Sequence, residues 1–212
     1  MESTRTYLPA AGRDWLLPLY DPFVKLLGGD AARRVLLDRA AVRAGQRVLD
    51  IGCGTGTLVA LIKRLHPDAE VVGLDPDRKA LSRARHKTER AALAVRFDQG
   101  FADELPYSDS LFDRVFSSFM FHHLPVDVKG KMLRAVRRVL KPDGEFHMLD
   151  FEGPHDGAHG FLTHVLHSSH RLEDNSESRV LSLMTQAGLA DPKKVGRRAM
   201  LFGHIAYYRA TA

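Results

Sequence analysis

Three glycines at alternate positions stand in residues 48–58, VLDIGCGTGTL, between a short apolar run and a stretch of helical period. Gly52, Gly54 and Gly56 permit a sharp backbone turn, and they let a ligand approach the main chain where any Cβ would collide. The helix expected next presents unpaired N–H groups and the positive end of its dipole, which suits an anionic group. Asp75 closes the following apolar run, where a carboxylate can accept hydrogen bonds from both hydroxyls of a ribose. The glycines have the plainer alternative of a tight connection without a ligand, and for the carboxylate taken singly the alternative of a helix cap is stronger. Together they specify an adenosine-containing ligand that carries an anionic group.

The spacing separates ligand classes. A dinucleotide turn needs G-x-G-x-x-G or A. Counted from Gly52 the last position is Thr57, and from Gly54 it is Val59, so neither frame fits and a nicotinamide-dependent oxidoreductase is disfavoured.

A second group of reactive side chains lies in residues 117–125, SSFMFHHLP, at the carboxyl end of an expected fourth strand, where open α/β sheets bind their ligands. Ser117 and Ser118 are assigned to the ligand, and His122 and His123 are the candidates for accepting or relaying a proton. Either ring alone has the plainer alternative of capping the next helix or bonding a main-chain carbonyl. Asp150, ending the fifth strand, is a further pocket candidate. Histidines 155, 159, 164, 167 and 170 crowd one segment, but no acid stands at a spacing such as H-E-x-x-H, so no metal site is expected. Near the N-terminus Trp15, Leu16, Leu17, Leu19, Tyr20 and Phe23 cluster. They read as a helix packing on the core, or as a lid whose Tyr20 closes over a cationic ligand through a cation–π contact.

The elements that position these residues alternate apolar runs with amphipathic stretches, the pattern of a mostly parallel sheet with helices on both faces. Strands are expected at 46–51, 70–75, 94–99, 112–119 and 145–151, with helices at 57–66, from Asp77 to about Arg90, and at 126–140. Lys141-Pro142-Asp143-Gly144 reads as a turn, because proline cannot continue a helix and glycine permits positive φ. A last helix runs from Leu181 to Gly188, and strands near 195–202 and 204–209 should close the fold as an antiparallel hairpin. One domain over 1–212 is expected: a helical lid region over 1–45, a ligand-binding core over 46–151, a His-rich cap over 152–180, and the last helix and hairpin over 181–212.

A chain of 212 residues with 44% apolar side chains can bury one sizeable core. Its single cysteine, Cys53, excludes an internal disulfide and cysteine-rich zinc sites, and points to a cytoplasmic setting. No run of ~18 apolar residues spans a bilayer and no signal peptide is evident. A net charge of +5 invites nucleic acid, but the basic residues are spread along solvated helical faces such as KALSRARHKTER, so nucleic acid is disfavoured.

VLDIGCGTG resembles motif I of the class I S-adenosylmethionine-dependent methyltransferases. The likeness extends to residues 98–113, DQGFADELPYSDSLFD, similar to the family's loop after the third strand, and to RVLKPDG at 138–144. It looks closest to the ubiquinone and menaquinone biosynthesis type. The resemblance implies a Rossmann-like seven-stranded sheet of order 3-2-1-4-5-7-6 with strand seven reversed. It implies that Asp50 and the backbone from Gly52 through Cys53 and Gly54 to Gly56 hold the methionine end of the cofactor. Asp75 with Pro76 would hold the ribose, and Phe101 with Ala102 would line the adenine. Relatives often carry an acid at the place of Phe101 to bond the adenine amine; here Asp98 and Asp103 only flank it.

Methyl transfer is an in-line displacement, and holding the reactants in line can be worth ~7–11 kcal/mol. A base is needed only where the acceptor must lose a proton. The strand-four segment lacks the Asn/Asp-Pro-Pro-aromatic pattern of enzymes that methylate base amines, and Cys53 is committed to the glycine turn. The expected activity is therefore methyl transfer to a small, fairly apolar quinol, phenol or lipid-like acceptor; the alternative is a cofactor-binding regulatory or scaffold protein without turnover.

Overall fold

The computed structural model describes residues 28–153, 175–200 and 203–212. Tyr20 and its apolar neighbours, and the histidines at 155–170, lie outside the described residues.

Seven strands form one sheet of order β3-β2-β1-β4-β5-β7-β6. They are β1 Arg47–Ile51, β2 Glu70–Asp75, β3 Arg96–Gln99, β4 Phe112–Ser118, β5 Leu140–Phe151, β6 Ala190–Met200 and β7 Gly203–Thr211. The pairs among β1 to β5 are parallel, whereas β7 runs antiparallel to both β5 and β6. Strand order, the reversed strand and the terminal hairpin all agree with the expectation from sequence.

Five helices flank the sheet among the described residues: α1 Gly29–Ala40, α2 Thr57–Leu65, α3 Arg78–Arg90, α4 Val126–Val139 and α5 Glu177–Gln186. Leu36 and Leu37 of α1, Leu58 and Ile62 of α2 and Leu81 of α3 share one core with Val48, Phe116 and Tyr207. Met132, Leu133 and Val136 of α4 and Met184 of α5 share the other with Leu49, Val115, Phe146 and Tyr208. Successive strand residues therefore feed opposite cores, as the pleat demands. Within the described part of the expected lid region, residues 28–45, α1 packs into the core through Ala32, Leu36, Leu37 and Ala40.

Two local readings need correction. The turn at Lys141–Gly144 is present, but inside β5: Leu140 still pairs with Phe112, and regular pairing resumes only at Glu145 with Arg114. The four intervening residues loop out opposite Asp113, whose carboxylate accepts from Lys141 Nζ at 2.8 Å. In the hairpin, β6 begins at Ala190, well before the expected 195, and Gly203 is already the first residue of β7. Pro192, Gly196 and four basic residues hid this strand. An edge strand tolerates them, because one side of its backbone pairs with nothing and bulges absorb the irregular register.

Gly56 ends the glycine turn at φ +77°, and a Cβ there would lie 2.8 Å from Ala84 Cβ of α3. This third glycine sets how closely α2 approaches α3. Gly45 has a similar φ of +74° with open space around it. Gly45→Ala should cost about 1–2 kcal/mol, the αL penalty alone. Gly56→Ala should cost about 1–3 kcal/mol more through overpacking, and equal urea midpoints for the two variants would contradict that assignment.

Candidate active site

The turn between β1 and α2 is tied to β2 at several points. The N–H groups of Gly52 and Cys53 both donate to the carbonyl of Leu74, at 2.8 and 3.0 Å. Gly54 N–H donates to Asp75 Oδ2 at 2.8 Å, and Asp77 N–H to Asp75 Oδ1 at 2.9 Å. Asp77 in turn caps α3, its side chain accepting from the N–H groups of Lys79 and Ala80. Gly52, at φ +70°, admits no side chain, since a Cβ would overlap Met120. Around Gly54 a Cβ would meet nothing within 4 Å, because that position opens on a cavity.

The cavity measures about 370 Å³ and runs across the carboxyl ends of β1, β2 and β4. Of the residues expected at the site, Gly52, Cys53, Gly54, Asp75, Pro76, Phe101, Ala102, Ser118 and His123 line it. Asp50, Gly56, Ser117 and His122 do not, and Tyr20 lies outside the described residues. Alternation along β4 separates the two serines. Ser118 faces α1, with Arg33 Nε 3.5 Å from its Oγ, whereas Ser117 is fully buried towards the opposite side.

Arg33 was not singled out from sequence. It stands on the stripe of α1 that buries Gly29, Ala32, Leu36, Leu37 and Ala40, and it is itself only 7% exposed. An arginine within an apolar helical stripe was the available signal. Its guanidinium lies on the cavity wall and 5.2 Å over the ring of Phe119. Phe119 adopts φ +56°, an uncommon conformation for a non-glycine residue, where the chain leaves β4.

Asp50 is buried beneath the turn, and its Oδ1 has no hydrogen-bond partner among the described residues. Burial pushes its pKa up to about 8, against the lowering charge of Arg33 and with a further rise from Asp75. Burial likewise raises Asp75 to about 6, although the N–H groups of Asp77 and Gly54 favour its ionised form. On the adenine side Asp103 reaches the wall. Asp98 is instead engaged by the Tyr107 hydroxyl at 3.1 Å and by Arg96 Nε at 3.0 Å.

The two histidines lie in a short 3-10 turn, Phe121–His123, after β4. Their ring centroids are 3.9 Å apart, yet their surroundings differ. His123 lines the cavity, while His122 is 3% exposed and its Nδ1 lies 2.6 Å from Asp150 Oδ1. Burial alone would raise the pKa of Asp150, but the charge and hydrogen bond of His122, with the N–H of Phe151, hold it below the usual carboxylate range.

These residues fit an adenosyl amino acid. The exposed backbone at Gly54 admits close approach, and each oxygen of Asp75 keeps a lone pair for a ribose hydroxyl. Arg33 offers a guanidinium to a carboxylate, and the orphaned oxygen of Asp50 lies beneath the turn that would receive an ammonium group.

A family model described as a methyltransferase domain matches residues 48–144. The demethylmenaquinone methyltransferase of Thermus thermophilus is 39% identical over 153 residues, covering 71% of this chain and 69% of that protein. The ubiquinone/menaquinone biosynthesis C-methyltransferase of Vibrio campbellii is 37% identical over 141 residues, covering 64% of this chain and 54% of its own length. The chain thus spans about half of the Vibrio relative. The crystal structure of the YcgJ protein from Bacillus subtilis superposes with a TM-score of 0.68 at 27% identity, covering 79% of this chain and 71% of that one.

Sheet, glycine turn and relatives together make this protein a class I S-adenosylmethionine-dependent methyltransferase. Within that class the chain belongs to the family of the ubiquinone and menaquinone biosynthesis methyltransferases. When bound, S-adenosylmethionine supplies a methyl group on a positively charged sulfur.

A pH dependence follows from Asp50 and Asp75. A carboxyl whose pKa rises on folding keeps its proton in the folded state where the unfolded chain has lost it. Stability from Asp50 is complete below its unfolded value of 3.8 and is lost as pH rises to about 8; Asp75 acts in the same sense up to about 6. The melting temperature of the unliganded wild type should therefore fall relative to Asp50→Asn between pH 4 and 8, and a constant difference across that range would refute the assignment.

Proposed function

We propose that the protein transfers the methyl group to a ring carbon of a small hydroquinone. The observation that carries this reading is the cavity wall beyond Ser118. It presents Phe119, Met120, Leu124, Pro125 and Val128, with the imidazole of His123 among them. That surface suits an aromatic acceptor with a titratable hydroxyl better than it suits a charged amine or a polynucleotide. The names of the relatives, one acting on demethylmenaquinone and the other termed a C-methyltransferase, support the same acceptor class.

The chemistry requires the reduced form. A quinone ring is poor in electrons and its carbons are not nucleophilic. A hydroquinone that gives up a hydroxyl proton gains electron density at the adjacent ring carbon, and that carbon can attack the methyl group.

The chain then has three tasks. The backbone of Gly52 to Gly54, with Cys53, Asp50 and Arg33, fixes the amino-acid end of the donor, and Asp75 with Pro76 fixes the ribose. Phe101, Ala102 and Asp103 frame the adenine, with Phe101 supplying a ring face where relatives often have an acid. Ser118, Phe119 and Met120 set the approach of the acceptor and exclude water, while His122 or His123 receives the hydroxyl proton. Tyr20 remains a candidate for covering the sulfonium.

The test is incubation of the protein with methyl-labelled S-adenosylmethionine and a demethylmenaquinol of shortened prenyl tail, its oxidised quinone, a simple phenol and a fatty acid. Label should enter the quinol alone and appear in the product as a carbon-bound methyl by NMR. Labelling of the phenol or fatty acid in preference to the quinol, or an oxygen-bound methyl, would overturn the reading.

A further inference from the structure

The two histidines are neighbours in sequence, and His122 has a carboxylate built against it. His122 is 3% exposed and Asp150 1%, and His122 Nδ1 lies 2.6 Å from Asp150 Oδ1. Asp150 is fixed from two further directions. The backbone N–H of His122 donates to its Oδ2 at 3.2 Å, and that of Phe151 to its Oδ1 at 2.7 Å. The ring of Phe151 meets the His122 ring edge to face, with centroids 5.2 Å apart. A carboxylate at this depth is costly unless it is paired, and a neutral amide would serve as well if only a structural anchor were needed.

We infer that Asp150 is a positioning residue that holds His122 in the tautomer required of the proton acceptor in methyl transfer. The inference rests on the hydroquinone reading above. With its Nδ1 proton donated to Asp150, His122 carries its lone pair on Nε2. The acceptor's hydroxyl proton reaches that buried nitrogen by way of His123, whose ring lines the cavity with its centroid 3.9 Å from that of His122, as a ring carbon forms its bond to the methyl group. The bond from methyl to sulfur breaks, and its electron pair stays on sulfur. One positive charge is thereby lost at the sulfonium and one appears on the imidazole, so charge is conserved. Asp150 is the fixed counter-charge for that new cation, in place before the reaction begins. The later loss of the imidazolium proton to solvent resets the site.

The place of the pair in the fold agrees with this role. Asp150 is the penultimate residue of β5 and His122 follows β4, so the pair sits at the carboxyl ends of two adjacent parallel strands. Their neighbour His123 lines the cavity that receives the donor. The geometry thus gives the two rings different places: His123 on the cavity wall and His122 against a buried carboxylate.

Two measurements on the full chain test the inference. In protein carrying 15N-histidine and saturated with S-adenosylhomocysteine, the His122 ring, identified by its loss in His122→Gln, should show a protonated Nδ1 and an unprotonated Nε2. Asp150→Asn should abolish that signature. The reverse tautomer in the wild type, or an unchanged signal in Asp150→Asn, overturns the inference without any acceptor being needed. In turnover of the short-tailed demethylmenaquinol, His122→Gln and Asp150→Asn should each lower kcat about 100-fold or more. Affinity for S-adenosylhomocysteine should stay within about twofold, and the double variant should be no slower than the slower single one. A kcat near wild type for Asp150→Asn, or additive losses in the double variant, would refute the pairing while leaving the hydroquinone reading intact. A wild type inactive on the quinol removes that reading and the proton-acceptor role with it. If Asp150→Asn fails to fold, the wild-type tautomer and the His122→Gln kinetics still decide.

Discussion

The carboxylate of Asp75 is the point on which the site depends. One of its oxygens accepts from the N–H of Gly54 and the other from that of Asp77, so a single side chain joins the glycine turn after β1 to the cap of α3 after β2. Strands β1 and β2 are already in parallel register, but register alone does not shape a loop. Asp75 does so by consuming main-chain donors that would otherwise be unsatisfied at a buried bend. Each oxygen retains further acceptor capacity and the residue lines the cavity, so the group that builds the cradle is also placed to serve a ligand.

That arrangement carries an electrostatic cost, which the structure offsets in part. Burial raises the pKa of both Asp50 and Asp75; Asp75 adds to the rise at Asp50, Asp77 adds to that at Asp75, and Arg33 is the cation that moderates Asp50. The site is therefore short of positive charge before a ligand arrives. A cationic, amino-acid-tailed nucleoside supplies it, and binding should favour the ionised form of both carboxylates. Strain at Phe119, which turns back under Arg33, belongs to the same arrangement, since it brings an aromatic face to the one guanidinium on the described cavity wall.

Two different polar devices thus occupy the carboxyl edge of the sheet. At β1 and β2, main-chain donors and acidic side chains form a cradle open to the cavity. At β4 and β5, His122 and Asp150 are enclosed, and they meet only because those strands are adjacent and parallel. The first device offers a place for the nucleoside of the proposed donor. The second offers a place for a proton when the acceptor is a hydroxylated ring.

The sequence by itself determined the alternation of strands and helices, the G-x-G-x-G turn and the acid closing β2, because each is a local pattern whose meaning depends on period and spacing. It also carried the likeness from which strand order was inferred. It did not determine which of Ser117 and Ser118 meets the cavity, since a shift of one residue along β4 exchanges the two faces of the sheet. Nor could it show that His122 meets a carboxylate 28 positions along the chain while His123 lines the cavity. Arg33 and the early start of β6 stayed hidden for the same reason. A charged residue on a buried stripe, or a proline in an edge strand, has its meaning set by what packs against it, and only the tertiary structure decides that.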